Sequence, residues 1–184
     1  MDFFVVGDEK HNPAFLRDVA FQIESSFPNA TRITPVICEI QALNEKVRVH
    51  LLLRWCLIKP PYKIGKFRVL HYEDLVADRV NAFISRTLHT DAVDMYFILQ
   101  HTPLEEALLF ALKQSKLPLD IVAINSAIKR VEEFPQKIEN WDVEFTKNIT
   151  AQEIKDQLAQ LKPKLQNMIK KLNNLWHSEQ QNQR

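Results

Sequence analysis

Apolar positions recur along this chain in two rhythms, and the change between them comes near residue 70. Before that point the rhythm is mostly that of strands. Phe3-Phe4-Val5-Val6 is a short apolar run that reads as a strand from the second residue onward. Asn12 and Pro13 make an N-cap and a first helical residue, and Phe15, Leu16, Val19, Ala20, Ile23 and Phe27 supply an amphipathic helical face behind them. Val36, Cys38, Ile40 and Ala42 alternate, as do Val47, Val49, Leu51 and Leu53, which predicts a hairpin within residues 31 to 54 turning near Asn44-Glu45. Arg48, His50 and Arg54 fall on the opposite face of its second arm. Trp55 to Gly65, with Pro60-Pro61 inside it, reads as a loop, and Phe67 to Leu70 as a short strand.

After residue 71 the period becomes helical. Glu73 to Leu99 reads as two helices joined by a short turn, with Val76, Val80, Phe83 and Ile84 forming the buried stripe of the first. That spacing leaves Arg79 and Arg86, seven residues apart, as neighbours on another face. Asp91 and Asp94 stand just before the apolar run Met95 to Leu99, so two arginines and two carboxylates face one corner. One account of that corner is purely structural. Asp91 caps the second helix, Asp94 sits in its first turn where the helix dipole favours negative charge, and Arg86 pairs with either.

Thr102-Pro103-Leu104-Glu105 has the form of a capping box, followed by an inward face of Leu104, Ala107, Leu108, Ala111 and Leu112. Pro118 is expected to start a further helix, with Ile121, Ile124, Ala127, Ile128 and Val131 inward. Thr150-Ala151-Gln152-Glu153 is a second capping box. Beyond it Ile154, Leu158, Leu161, Leu165, Met168, Leu172 and Leu175 recur at steps of four and three, with Pro163 interrupting or kinking the helix. Lys155, Lys162, Lys164, Lys170 and Lys171 make this the most basic region. Such a seam can dock on the preceding helices, bind a partner helix, or form a homodimer through residues 154–175, expected in that order. The pattern as a whole predicts an α+β chain: residues 1–70 an α/β region, 71–176 a helical region and 177–184 a frayed polar tail.

Composition narrows the field. A chain of 184 residues that is 46% hydrophobic can bury a substantial core and is not disordered. Its 24 basic and 23 acidic residues give a formal charge of +1, so anion binding must come from local patches. Lys59, Tyr62, Lys63 and Lys66 are one such cluster, able to meet phosphates and stack on a base, or simply to form a solvated loop. Cys38 and Cys56 are on predicted strands and in apolar company and read as reduced thiols rather than a disulfide, and no Cys/His spacing suits structural zinc. Gly7 and Gly65 are the only glycines, so the chain carries no glycine-rich phosphate loop. Short, charge-interrupted apolar runs and the absence of a basic-then-apolar N-terminus point to a cytoplasmic protein with no membrane span.

The run Glu73-Asp74-Leu75-Val76-Ala77-Asp78-Arg79-Val80-Asn81-Ala82-Phe83 with Arg86, then Asp91-Ala92-Val93-Asp94-Met95-Tyr96-Phe97-Ile98-Leu99, resembles the second half of the AbiEii/AbiGii-type nucleotidyltransferases. These are bacterial toxin and phage-defence (abortive infection) proteins of the polymerase-beta-like superfamily. Their pattern is Glu-Asp-Leu, a Lys-x-x-Ala helix ending in Arg, then Arg/Lys-Asp-x-x-Asp before an aromatic-rich helix. Arg79 takes the lysine position here and Thr90 the basic one. Met1-Asp2-Phe3-Phe4 is similar to the end of the family's Asp-x-Asp strand motif, so the resemblance implies that the glycine motif and the first aspartate lie ahead of residue 1. His50 stands where a third carboxylate is usual.

The resemblance implies a nucleotidyltransferase-like mixed sheet, truncated at its start and followed by a helical bundle. The implied reaction moves a nucleoside monophosphate from an NTP to an RNA acceptor, with tRNA ends the acceptor associated with relatives and Mg²⁺ the cofactor. Asp2 would be a metal ligand, Arg79 and Arg86 would hold phosphate charge and the helix pair, and Asp94 or Asp91 would orient the nucleophile. A cognate antitoxin is the implied protein partner. Because imidazole replaces a carboxylate poorly around a hard cation, and only Asp2 of the metal acids is present, weak or absent transfer by these 184 residues is expected. A non-catalytic RNA- or protein-binding module and a helical interaction protein are the competing readings.

Overall fold

A computed structural model describes residues 2–6, 21–27, 29–34, 37–42, 45–54, 56–64, 67–143 and 148–182. They form an α+β chain with a helical C-terminal region, divided into two units, Met1–Leu57 and Ile58–Arg184.

In the first unit the alternating segments pair as their pattern demands. Strand β3 (Ile37–Ala42) runs antiparallel to β4 (Glu45–Arg54), with Cys38 opposite Val49 and Ala42 opposite Glu45. Strand β1 (Asp2–Val6) lies parallel to β4, with Asp2 in register with His50. A strand that the alternation did not separate, β2 (Ala30–Thr34), pairs antiparallel with β3 and carries a register shift between Arg32 and Thr34. The sheet order is therefore β1-β4-β3-β2. Of the expected first helix, 21–26 is helical and is called α1; Asn12 to Ala20 lie outside the described residues. Ile23 is half-buried, but Phe27, expected on the inward face, falls just past the helix end and is exposed. Cys56 follows β4 rather than lying in a strand and carries a free thiol.

The second unit opens with a small hairpin in which β6 (Phe67–Val69) is the short strand expected there, while its partner β5 (Tyr62–Ile64) lies inside the stretch expected to be a loop. Tyr62-Lys63-Ile64 is too short to show an alternation of its own. Six helices follow: α2 (Tyr72–Ser85), α3 (His89–His101), α4 (Leu104–Ser115), α5 (Ile121–Glu132), α6 (Ala151–Ala159) and α7 (Lys162–Asn182), with a 3₁₀ turn at Ile138–Asn140. The division falls ahead of residue 70 because the buried Asp74 carboxylate, in the first turn of α2, accepts the backbone N–H of Ile58 at 2.8 Å and of Lys59 at 3.3 Å. That ties the segment before the hairpin to the helices.

Helix α2 packs on α3, α4 and α5; α6 packs on α3 and α5, and α7 on α4 and α5. The core takes Val76, Val80 and Phe83 from α2, Leu108 and Leu112 from α4, and Ile124, Ala127, Ile128 and Val131 from α5. Ile154, Leu158, Leu165 and Leu172 are buried within it as well, so the heptad seam docks on the chain's own helices and leaves Leu175 exposed at its end. Pro163 is the second residue of α7, where the backbone N–H is unpaired in any helix, so it starts a helix rather than kinking one. Lys155 belongs to the interior instead of the basic surface. Its ammonium donates to the carbonyls of Glu132, at 3.1 Å, and of Phe134, at the end of α5, where the helix dipole favours a cation.

Three local expectations change. The Thr102–Glu105 capping box does not form, because the buried Thr102 hydroxyl pairs with Tyr72 Oη and Glu105 pairs with Lys171. Helix α5 begins at Ile121 rather than Pro118, with Asp120 capping it through the N–H of Val122 at 2.8 Å. Residues 177–182 continue α7 and are not a separate tail. The Thr150–Glu153 box forms in full. Among the described residues, no helix is long and apolar enough to cross a membrane.

Candidate functional site

The buried stripe of α2 determines what its other faces can do. With Val76, Val80 and Phe83 turned inward, Tyr72, Arg79 and Arg86 fall at seven-residue intervals along one side of the helix, each about 10 Å from the next. Helix α3 returns antiparallel, and each of these residues meets a partner on it. Tyr72 Oη lies 2.7 Å from Thr102 Oγ1, Arg79 Nη1 lies 3.4 Å from Asp94 Oδ2, and Arg86 forks onto Asp91. The four residues expected to share a corner thus form two rungs of a polar ladder whose third rung is Tyr72–Thr102.

The Arg86–Asp91 rung holds the turn. Nε donates to Oδ1 and Oδ2 at 3.3 and 3.0 Å, Nη2 to Oδ1 at 2.9 Å, and the N–H of Leu88 to Oδ2 at 2.8 Å. Asp91 has no exposed surface, while the Arg86 side chain is 54% exposed. Between them Thr87 adopts φ 51°, a left-handed conformation costly for a β-branched residue. Its hydroxyl donates to the Phe83 carbonyl at 2.6 Å and accepts from Arg130 Nη2 at 2.6 Å, which offsets that strain. Both Asp91 oxygens are thus occupied inside the protein. Asp94, 37% exposed, is the carboxylate of the cluster that a ligand can reach, beside Arg79, also 37% exposed, and the outer part of Arg86.

At the open end of the ladder the basic-aromatic segment is partly ordered by α2. Lys59 Nζ is 2.6 Å from Glu73 Oε1, and that hydrogen bond and charge hold the ammonium above its ordinary 10.5. The Tyr62 ring stacks on His71, with centroids 3.6 Å apart and 27° between planes. Lys66 lies outside the described residues. Of the Glu73-Asp74 pair, which carried the resemblance but no role, Glu73 positions Lys59 and Asp74 holds the backbone at 58–59. Tyr72 and His71 were not singled out from sequence, although the spacing Tyr72–Arg79–Arg86 could have found the first of them.

In the first unit, the register sets Asp2 beside His50 on adjacent strands, a carboxylate position next to an imidazole position. A hard divalent cation prefers oxygen donors, and this pair offers one residue of that kind. Among the described residues there is no group of three or more His, Cys, Asp or Glu arranged to hold a metal ion. The described residues therefore do not fit Mg²⁺. No protein-family model matches the chain, and no curated protein sequence does.

Proposed function

We propose that this chain is a nucleotidyltransferase-like protein of the AbiEii/AbiGii type, acting in the cytoplasm in a toxin–antitoxin or phage-defence setting, with an NTP and an RNA as its ligands. The observation that carries this reading is the Arg79–Asp94 pair, partly exposed between two helices whose turn is held by Arg86 on the buried Asp91. Arg79 offers a guanidinium to the triphosphate, and Asp94 keeps it aimed while presenting a carboxylate three residues from the locked turn. In the transfer, an RNA hydroxyl oxygen bonds to the α-phosphorus, the bond to pyrophosphate breaks, and Asp94 takes the hydroxyl proton. Asp91 and Arg86 are positioning residues. The free Cys56 thiol agrees with a reducing compartment. A cognate antitoxin is the protein partner this reading implies.

A second reading rests on the register of Asp2 with His50. An imidazole in place of a carboxylate favours a module that binds nucleotide or RNA without turning it over. One experiment separates the two. Each NTP with Mg²⁺ is tested for binding by equilibrium dialysis, and for transfer of an α-phosphate label to a total RNA pool. The first reading expects NTP binding weakened about tenfold by Arg79→Ala, and a weak transfer, impaired in these 184 residues, that Asp94→Asn abolishes. Arg79-dependent binding without transfer selects the binding module. NTP binding that is absent, or indifferent to Arg79→Ala, overturns both.

A further inference from the structure

A cavity of about 220 Å³ lies at the open end of the α2–α3 ladder, lined by Lys59, Tyr62, His71, Tyr72, Glu106 and Phe110 among others. Its chemistry is not that of a phosphate site. Lys59 is already neutralised by Glu73, and Glu106 adds a carboxylate that would repel an anion. What the cavity offers is planar and mixed. Tyr62 lies on His71 with the residue still 53% exposed, so a further ring can extend that stack, and Glu106 and His101 supply hydrogen-bonding groups at the wall.

We propose that this cavity is a nucleobase subsite: a base enters, continues the His71–Tyr62 stack, and is held at its polar edge by groups such as Glu106. The placement relative to the ladder supports a base over another flat ring. Tyr72 lines the cavity, and the partly exposed Arg79 stands on the same side of α2 about 10 Å further along, so a nucleotide seated here directs its phosphates toward that side chain. Base-on-aromatic stacking tolerates any base, so this subsite supplies affinity while leaving the choice of nucleotide to other contacts. The inference rests on the NTP- and RNA-binding reading above and deepens it by naming where the base sits.

The base could belong to the incoming NTP or to the RNA, and the test separates these sources. Binding of ATP, of inorganic tripolyphosphate and of a five-nucleotide single-stranded RNA with a free 5′ hydroxyl is measured by calorimetry on the full chain. The proteins are wild type, Tyr62→Leu, Tyr62→Trp and Arg79→Ala. Leucine keeps an apolar side chain on the hairpin but removes the stacking face; tryptophan keeps the face. The proposal expects Tyr62→Leu to weaken ATP or the RNA by about tenfold, within a range of about five- to a hundredfold, and Tyr62→Trp to retain affinity. Loss with ATP assigns the subsite to the incoming nucleotide, and loss with RNA alone assigns it to the acceptor. Tripolyphosphate binding that Tyr62→Leu leaves unchanged shows that the fold and the Arg79 end survive. If Arg79→Ala weakens ATP while Tyr62→Leu changes neither ligand, the subsite is refuted and the nucleotide-binding reading stands. If the wild type binds none of the three, both fall.

Discussion

Replacing Arg86 by alanine tests whether the turn between α2 and α3 depends on a buried charge. The substitution removes three hydrogen bonds, at 2.9, 3.0 and 3.3 Å, from a carboxylate with no exposed surface, and leaves it only the N–H of Leu88. Stranding one member of a fully buried ion pair costs about 3–5 kcal/mol. Here the departing side chain is 54% exposed, so water can enter where it stood and restore part of the solvation. The expected loss is therefore nearer 2–3 kcal/mol, an order-of-magnitude figure that corresponds to a fall of about 8–12 °C in the unfolding midpoint of a unit this size. Arg86→Lys keeps the charge and loses the fork, and should fall between the two. Thermal and urea unfolding, followed by far-UV circular dichroism, measure all three proteins. A loss for Arg86→Ala below about 0.5 kcal/mol, the size of an ordinary surface substitution, would refute the argument that Asp91 is a buried charge dependent on this partner.

Three further outcomes follow from the packing and the caps. Leu158→Ala, at a position with no exposed surface, should cost about 2–4 kcal/mol in urea unfolding, whereas Leu175→Ala at the exposed end of the same stripe should change stability by less than about 0.5 kcal/mol. Lys116 ends α4 at φ 55°, so Lys116→Gly should raise stability by about 1 kcal/mol, and a loss of stability would show that its side chain matters more than its backbone. The Glu153 carboxyl is held below its usual 4.5, first by the backbone N–H of Thr150 and then by its hydroxyl. A depressed folded value means the contribution is complete above about 4.5 and is lost as pH falls through the folded value. The gap in melting temperature between wild type and Glu153→Gln should accordingly be open at neutral pH and close in acid; a gap that widens in acid would contradict this assignment.

Much of the helical region could be read directly from the chain. Val76, Val80 and Phe83, then Ile124, Ala127, Ile128 and Val131, and then Ile154, Leu158, Leu165 and Leu172 are buried where their spacing placed them, with Leu161 and Met168 half-buried beside them, because a stripe at helical period has few ways to leave water except against other stripes. The hairpin of β3 and β4 followed from strict alternation. Short or conditional elements did not. β5 has three residues and hides behind Pro60-Pro61, and the Thr102 box was lost to a competing hydroxyl contributed by Tyr72, 30 positions away. Of the candidate cluster, the spacing brought Arg79, Arg86, Asp91 and Asp94 to one corner, but it did not say which carboxylate would be buried and which exposed.

By itself the sequence determined the secondary-structure periods, the inward stripes, the cap at Thr150, and the meeting of two arginines with two aspartates across one turn. All of these depend on residues within a few turns of one another, where backbone geometry alone sets which side chains are neighbours. The tertiary structure alone decided the partners that reach across the chain. It paired Asp74 with the backbone of Ile58 and Lys59, Arg130 with Thr87, Lys155 with the end of α5, and Asn173 with both backbone groups of Leu119. Each of these polar groups could have been satisfied by water or by many other partners, and local spacing does not rank them. Only the path of the chain brings a particular donor to a particular acceptor and removes the water between them. For the same reason the reach of a ligand to Arg79 and Asp94, and the cavity beside Tyr72, belong to the folded molecule and not to the pattern along it.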